Sequence, residues 1–239
     1  MNDSLADVKA LVFDVFGTLV DWRGGVAREA ELALAPLGLQ ADWAELADDW
    51  RAQYQPAMEE VRSGRLPYAR LDALHRRNLD LVLQQRGWAA QVDDATRQSL
   101  NRAWHRLDAW PDVVPALARL RRRFLLAPCS NGHIALMVAL ARRNGMVWDA
   151  VCGAELARDY KPQAVVYQAA AAAFDLPPAQ LLMVAAHSSD LAAARAAGLR
   201  TAFIPRPDES GPGRGEQRAS CAVDASADSL LALAAQLGC

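Results

Sequence analysis

Four short stretches of the sequence set chemically capable side chains just behind apolar runs. Ala10-Leu11-Val12-Phe13 ends on Asp14 and then Gly17-Thr18, and Phe124–Cys129 is followed by Ser130-Asn131-Gly132. The run Ala150–Cys152 precedes Tyr160-Lys161-Pro162 at a short remove, and Leu181–Val184 leads into His187-Ser188-Ser189-Asp190. Together they supply two carboxylates, an ammonium, an imidazole and several short hydrogen-bonding groups. A carboxylate beside an ammonium stays ionised, because the positive charge lowers its pKa. An ionised carboxylate of this kind can act as a nucleophile and carry a covalent intermediate. An imidazole with an unperturbed pKa of about 6.5 suits proton transfer near neutrality. Taken singly, each residue has a plainer reading. Asp14, Ser130 or Asn131 would cap a helix, Asp190 would be a first-turn acid favoured by the helix dipole, and Lys161 a solvated surface lysine. Their joint placement favours chemistry. His75, His105 and His133 have no such company and read as structural.

The apolar runs are the elements that must position these groups. Ala10–Phe13, Phe124–Cys129, Ala150–Cys152, Leu181–Val184 and Thr201–Ile204 are each separated by enough chain for a helix. That alternation predicts an α/β fold, a Rossmann-like doubly wound parallel sheet. Ligands of such sheets bind beyond the carboxyl ends of the strands, where all four stretches fall. Helices are expected over Ile134–Arg143, Ala164–Phe174 and Leu191–Ala197, with Gly145 and Gly198 as stops.

One long gap interrupts the alternation. From about Asp21 to Trp110 no strand is expected, and the segment reads as helical throughout. Trp43, Leu46, Ala47, Trp50 and Tyr54 fall at helical spacing, as do Leu71, Leu74, Asn78, Leu81 and Val82. Gly64, Pro67 and Gly87 mark breaks. The reading is a helical cap, residues 21–110, inserted into a core made of 1–20 and 111–239. The turn-rich stretch from Pro205 to Gly215 is expected to be a mobile surface loop.

Composition narrows the function class. Of 239 residues, 52% are hydrophobic, and the formal charge is −2. This excludes a disordered chain and a globally basic binder of nucleic acid or anionic membrane. Cys129, Cys152, Cys221 and Cys239 lie far apart without a CxxC pair, which argues against a zinc site or a disulfide framework. The polar N-terminal stretch has no signal-peptide apolar region, and no segment is long enough to span a bilayer. A soluble cytoplasmic protein is expected, with no nucleic-acid or membrane partner. A homodimer is compatible with the sequence.

Asp14-Val-Phe-Gly-Thr-Leu-Val, Ser130-Asn131-Gly132, Lys161-Pro162 with Tyr167 downstream, and the aspartate of His187-Ser-Ser-Asp190 occur in the order of the haloacid-dehalogenase superfamily. The chain resembles the L-2-haloacid dehalogenases within it, and Trp50-Arg51 on a cap helix is a further match. The superfamily's phosphatases carry Asp-x-Asp, whose second aspartate protonates the leaving alcohol. Here the pattern is Asp14-Val15-Phe16, and phenylalanine donates no proton. A halide leaves as a stable anion and needs none.

The resemblance implies a small 2-haloalkanoic acid as substrate and neither cofactor nor metal. Asp14 displaces the halide with inversion, and water then hydrolyses the resulting ester to a 2-hydroxy acid. Asp14, Lys161, Asp190 and His187 are the implied catalytic residues. Thr18, Arg51, Ser130, Asn131 and Tyr167 are the implied substrate- or halide-binding set. Within that set Ser130, with Lys161, holds the substrate carboxylate; Arg51 and Asn131 face the halide; Tyr167 orients the lysine. Backbone amides after Asp14 are expected to stabilise the oxyanion.

The fourth motif departs from the Ser-Ser-Asn-x-x-Asp of better-known members, with Ala185 and His187 in place of a serine and the asparagine. Ser189 stands where a bulky aromatic often precedes the aspartate. His187 either hydrogen-bonds within its loop or activates the hydrolytic water with Asp190 orienting the ring. The rival readings are a magnesium-dependent phosphatase or phosphonatase-like hydrolase, with Asp14 and Asp190 as ligands, and a non-enzymatic binding protein on the same fold.

Overall fold

The computed structural model describes residues 5–239; Met1–Ser4, the start of the polar N-terminal stretch, lie outside the described residues. In chain order the strands are β1 (Ala10–Phe13), β2 (Val20–Asp21), β3 (Asp108–Ala109), β4 (Leu125–Ser130), β5 (Cys152–Gly153), β6 (Leu181–Ala185), β7 (Arg200–Phe203) and β8 (Ala225–Ser226). The helices are α1 (Trp22–Leu34), α2 (Trp43–Ala52), α3 (Tyr54–Arg62), α4 (Leu71–Gln85), α5 (Asp94–Asn101) and α6 (Val113–Leu120). They continue as α7 (Ile134–Asn144), α8 (Ala154–Ala157), α9 (Ala164–Ala173), α10 (Ser188–Ala196) and α11 (Leu230–Gln236). The chain divides into two compact units, one made of the described residues up to Asp21 with Asp108–Cys239, the other of Trp22–Leu107.

The first unit holds a six-stranded sheet in the order β5-β4-β1-β6-β7-β8, with every pairing parallel. From β1 the chain winds outward through β4 and β5, then returns to the other side of β1 and winds outward again. The reversal makes the carboxyl end of β1 a topological switch point, the place where doubly wound folds bind ligands. All four residues of β1 are fully buried, as a central strand covered on both faces requires.

Proline within an interior strand removes a ladder donor, and β4 contains Pro128. Two residues earlier the Leu126 N–H bonds the Asp149 carboxylate at 2.9 Å, on the side away from β1. By the two-residue period Pro128 faces that same side, and β5 pairs only from Cys129 onward, so no ladder bond is lost. The Asp149 N–H also bonds Leu126 O, and a loop rather than a strand therefore occupies the edge where Ala150 was expected to begin β5. Gly145 and Gly198 end their helices at positive φ, as expected.

Two features depart from the sequence expectation. The gap is not helical throughout, because β2 and β3 pair antiparallel where the chain leaves and re-enters the sheet unit. Two residues per strand are too few for alternation to register. The stretch from Pro205 to Gly215 is not simply a surface loop. Arg206 Nε donates to Thr18 O at 2.9 Å, its guanidinium pairs with Asp112 at 2.9 Å, and Glu209 is only 6% exposed.

The second unit is helical and built around aromatic rings. Trp50 and Trp104 are fully buried, with ring centroids 5.5 Å apart in an edge arrangement, and His75 stacks on Trp104 at 4.3 Å. Trp50 Nε1 donates to His75 O at 2.9 Å. The run Trp43 to Tyr54 forms two helices rather than one. Pro56 has no N–H for Ala52 O, so α2 ends there and α3 restarts at Tyr54. His105 gains a partner the sequence did not signal, the Asp72 carboxylate at 2.9 Å. No helix among the described residues is long and apolar enough to cross a membrane.

Candidate active site

Asp14 follows β1 at the switch point, its own N–H bonded to Val184 O of β6 at 3.0 Å. Its two oxygens meet different neighbours. Oδ1 accepts from Lys161 Nζ at 3.2 Å. Oδ2 accepts from Thr18 Oγ1 at 2.7 Å and lies 3.1 Å from His187 Nδ1. Thr18 Oγ1 itself accepts the Ala186 N–H at 3.0 Å, which fixes its proton on Asp14.

On the Oδ1 side, Lys161 Nζ also donates to Asp190 Oδ2 at 2.7 Å, and Tyr167 OH donates to Asp190 Oδ1 at 2.6 Å. Asp190 is in the first turn of α10 and Tyr167 on the buried face of α9. Asn131 Oδ1 accepts the Lys161 backbone N–H at 2.8 Å, and Ser130 Oγ accepts the Gly132 N–H at 3.0 Å. Tyr167 thus reaches the lysine through their shared partner, Asp190.

On the Oδ2 side, His187 Nε2 lies 2.9 and 2.8 Å from the two oxygens of Glu209. Gly17 makes this possible: it adopts φ +84°, and a Cβ there would fall 2.0 Å from Glu209 Oε1. Glu216, from the same segment, accepts the Ser188 N–H at 3.0 Å and also takes the Ser188 hydroxyl, which pins the start of α10 beside His187.

The charges follow from these contacts. Burial alone would raise the Asp14 pKa, but the Lys161 charge, the His187 hydrogen bond and charge, and the Thr18 hydroxyl outweigh it. Asp14 is held well below the usual carboxylate range. Burial would lower the Lys161 pKa, and the Asp190 and Asp14 charges more than reverse this, so the ammonium persists. Asp190 moves upward because burial outweighs the help of Lys161 and Tyr167. Burial would also deprotonate His187, yet its bonds to Asp14 and Glu209 raise its pKa to about 10. Burial pushes the thiols of Cys129 and Cys152 to about 12 and about 11, which leaves them unreactive near neutrality.

Seven of the expected residues therefore converge here: Asp14, Lys161, Asp190, Tyr167, Asn131, Thr18 and His187. Ser130, the last residue of β4, adjoins them next to Asn131. Two of these residues have surroundings the sequence did not indicate. Thr18 is fully buried and donates its hydroxyl to Asp14 Oδ2. His187 is not oriented by Asp190, whose two oxygens are engaged by Lys161 and Tyr167. The His187 ring lies instead between the Asp14 and Glu209 carboxylates, which favour the protonated form. Glu209 was missed altogether. It stands in a Pro/Gly-rich stretch, where a glutamate reads as solvated, and its position depends on the path of the loop. Arg51 belongs to the helical unit, where its Cζ lies 4.0 Å from the Tyr54 ring centroid and 5.3 Å from that of Trp22.

Phe16 is 2% exposed and supplies no acid for an alcohol leaving group. A magnesium ion held by Asp14 and Asp190 would have to share both carboxylates with the ammonium already between them. The site thus fits displacement by an ionised carboxylate better than phosphate-ester hydrolysis.

A family model described as a haloacid dehalogenase-like hydrolase matches residues 8–198. The chain is 30% identical over 203 residues to (S)-2-haloacid dehalogenase 1 of Pseudomonas sp. (strain CBS-3), covering 83% of this chain and 85% of that one. A solved defluorinating L-2-haloacid dehalogenase is 41% identical with a TM-score of 0.94, over 97% of this chain and 96% of that one. A second solved L-2-haloacid dehalogenase is 44% identical with a TM-score of 0.91, over 97% and 99% of the two chains. The chain belongs to the haloacid dehalogenase-like hydrolases and, within them, to the L-2-haloacid dehalogenase family, whose members act on carbon–halide bonds.

Proposed function

We propose that this protein converts a small (S)-2-haloalkanoic acid to the 2-hydroxy acid through an ester on Asp14. The observation that carries the reading is Asp14 itself, buried at the switch point, held ionised by Lys161 at 3.2 Å, with Phe16 where a phosphatase needs an acid. The Asp14 carboxylate attacks the carbon bearing the halogen from the face opposite the leaving group, so the configuration inverts. Water then adds to Cγ of the ester. The alkyl oxygen departs as the product hydroxyl, and Asp14 is regenerated with the release of one proton.

The other residues divide the remaining tasks. Lys161 and Ser130 hold the substrate carboxylate, and Asn131, whose Oδ1 is tied to the Lys161 N–H, directs its amide donors toward the halide. The helical unit acts as the cap, and Arg51 contributes its guanidinium to the departing anion, a role that suits a cation charged even in a dry pocket. Asp190 and Tyr167 position Lys161. The protein works in the cytoplasm on a freely diffusing substrate, as a monomer or a homodimer.

The test is direct. Purified protein is incubated with chloro-, bromo- and fluoroacetate, both enantiomers of 2-chloropropionate, and a set of phosphate esters, with and without a chelator. Halide release from the haloacids, selective for the (S) enantiomer and unchanged by the chelator, is expected. Phosphate release restored by magnesium, without halide release, would replace this reading with the phosphatase one.

A further inference from the structure

The nucleophile has a second cation that the lysine does not explain. His187 Nδ1 is 3.1 Å from Asp14 Oδ2, and Glu209 grips Nε2 with both oxygens at 2.9 and 2.8 Å. With a carboxylate at each nitrogen, both ring positions must carry protons for both contacts to be hydrogen bonds. Thr18 Oγ1 completes the arrangement, since its proton is fixed on the same Oδ2. A carboxylate oxygen has two lone-pair directions, and Oδ2 has a donor on each. Oδ1 is thereby left as the attacking oxygen, and Oδ2 becomes the carbonyl oxygen of the ester.

We propose that His187 is a charged hydrogen-bond donor rather than a base. With Thr18 it forms a two-donor cradle on Asp14 Oδ2 for the oxyanion of ester hydrolysis, and Glu209 is the positioning residue that keeps the imidazole protonated. The inference rests on Asp14 being the nucleophile. When Asp14 is alkylated its charge disappears, and with it one of the two carboxylates that face His187. Only Glu209 then remains to hold the ring as an imidazolium. When water adds to Cγ, the carbonyl electron pair moves onto Oδ2, where both donors already point and no reorganisation is needed. The intermediate collapses as the pair returns, breaking the Cγ–Oδ1 bond and leaving the product oxygen to take one proton of the water. The new Asp14 carboxyl loses the other to solvent. The cradle replaces the backbone amides expected from the sequence as oxyanion donors.

The donor and base roles separate on substitution. First, a single wild-type turnover in heavy-oxygen water should label Asp14; label found directly in the product would overturn the nucleophile reading itself. Next, His187→Ala should still release one equivalent of halide per enzyme, then turn over at least about 100-fold more slowly while an ester adduct accumulates on Asp14. That scale is the one set by loss of one oxyanion donor. His187→Asn restores a donor that cannot act as a base, and should recover turnover to within about tenfold of wild type. Equal slowness of the Asn and Ala variants would overturn the donor role, as would loss of the halide burst or absence of the adduct in His187→Ala.

Glu209 is tested by the pH profile. The donor form is the protonated one, so turnover should fall as pH rises through the His187 pKa. Glu209→Gln should move this alkaline limb downward by about one pH unit or more, the scale of one neighbouring charge. The shift should vanish in a His187→Asn background. An alkaline limb that stays in place in Glu209→Gln would overturn the positioning role.

Discussion

The two oxygens of Asp14 face two halves of one site that are built differently. The Oδ1 half consists of side chains at a strand end (Asn131), on helices (Asp190 and Tyr167) or in the short turn before a helix (Lys161). Each is placed by regular structure within a few residues. The Oδ2 half depends on His187 and on Glu209, which arrives from a long turn-rich segment through a gap that only a glycine at position 17 allows. Both halves put positive charge on one carboxylate, yet they do so at opposite ends of the pH scale. Lys161 keeps Asp14 ionised toward acid pH. His187 keeps a proton on the Oδ2 side toward alkaline pH. In the proposed mechanism the first half prepares the nucleophile for displacement, and the second serves the ester that displacement leaves behind.

The largest effect should come from the carboxylate that both halves share. Asp14→Asn should lower halide release by at least about 10⁴-fold, the scale on which loss of a covalent nucleophile acts. Single-turnover halide measurement checks this, and a retained burst would mean that neither half is organised around Asp14.

Lys161→Met comes next, since it removes one half's charge and leaves Asp14 and Asp190 buried without their counter-ion. Breaking a buried pair in this way should cost about 3–5 kcal/mol of stability, measurable by denaturant unfolding. The Asp14 pKa should rise, because burial and the Asp190 charge are then opposed only by His187 and Thr18. Its ionised form is the reactive one, so activity should be lost as pH falls through the raised value. An acid limb that does not move would assign Lys161 to substrate binding alone.

These two halves were not equally legible in the sequence. The strands β1, β4 and β6 announced themselves as apolar runs ending on polar residues, and the Oδ1 partners could be set on one crevice because strand ends converge in a parallel sheet. Even Pro128 did not obscure β4, for its missing donor falls where β5 has not begun. Glu209 could not be found in this way. No periodicity describes the path from Pro205 to Gly215, and the evidence that Gly17 admits a carboxylate is three-dimensional. His187 stood out as a departure from its family's pattern, with a loop hydrogen bond and a base both open to it; the partner that favours the proposed donor, Glu209, could not be read from the sequence. The pairing of β2 with β3 and the division between α2 and α3 were lost for a local reason. Two-residue strands and a helix restart caused by Pro56 leave the surrounding hydrophobic pattern intact.

Arg51 sharpens the comparison because it belongs to the other unit of the chain, the helical one, where its guanidinium lies over Tyr54. Arg51→Lys keeps the charge but loses the planar fork seated over Tyr54. Turnover should fall by about 100-fold, as misplacement of a positioning group allows, with the pH profile unchanged at both limbs. A displaced limb in this variant would show that Arg51 shares the electrostatics of Asp14 and is not confined to the leaving anion.

Tyr167→Phe is the smallest of the changes and the finest test of the division. Its hydroxyl donates to Asp190 Oδ1 at 2.6 Å, and Asp190 in turn receives Lys161 at 2.7 Å. A hydrogen bond to a charged group contributes about 1.5–3 kcal/mol, so a loss at the lower end of that range corresponds to roughly a tenfold fall in turnover. The hydroxyl lowers the Asp190 pKa against the effect of burial. Without it that pKa rises further, Asp190 takes up a proton at higher pH, and Lys161 loses the partner that holds it. Activity should therefore be lost at a higher pH on the acid side than in the wild type. In the proposed scheme the alkaline limb belongs to His187 and Glu209, on the Oδ2 side of Asp14, and it should stay where it is. A profile measured across both limbs decides the matter: if Tyr167→Phe moves the alkaline limb, the two halves are one coupled network and the assignment of separate tasks to Oδ1 and Oδ2 fails.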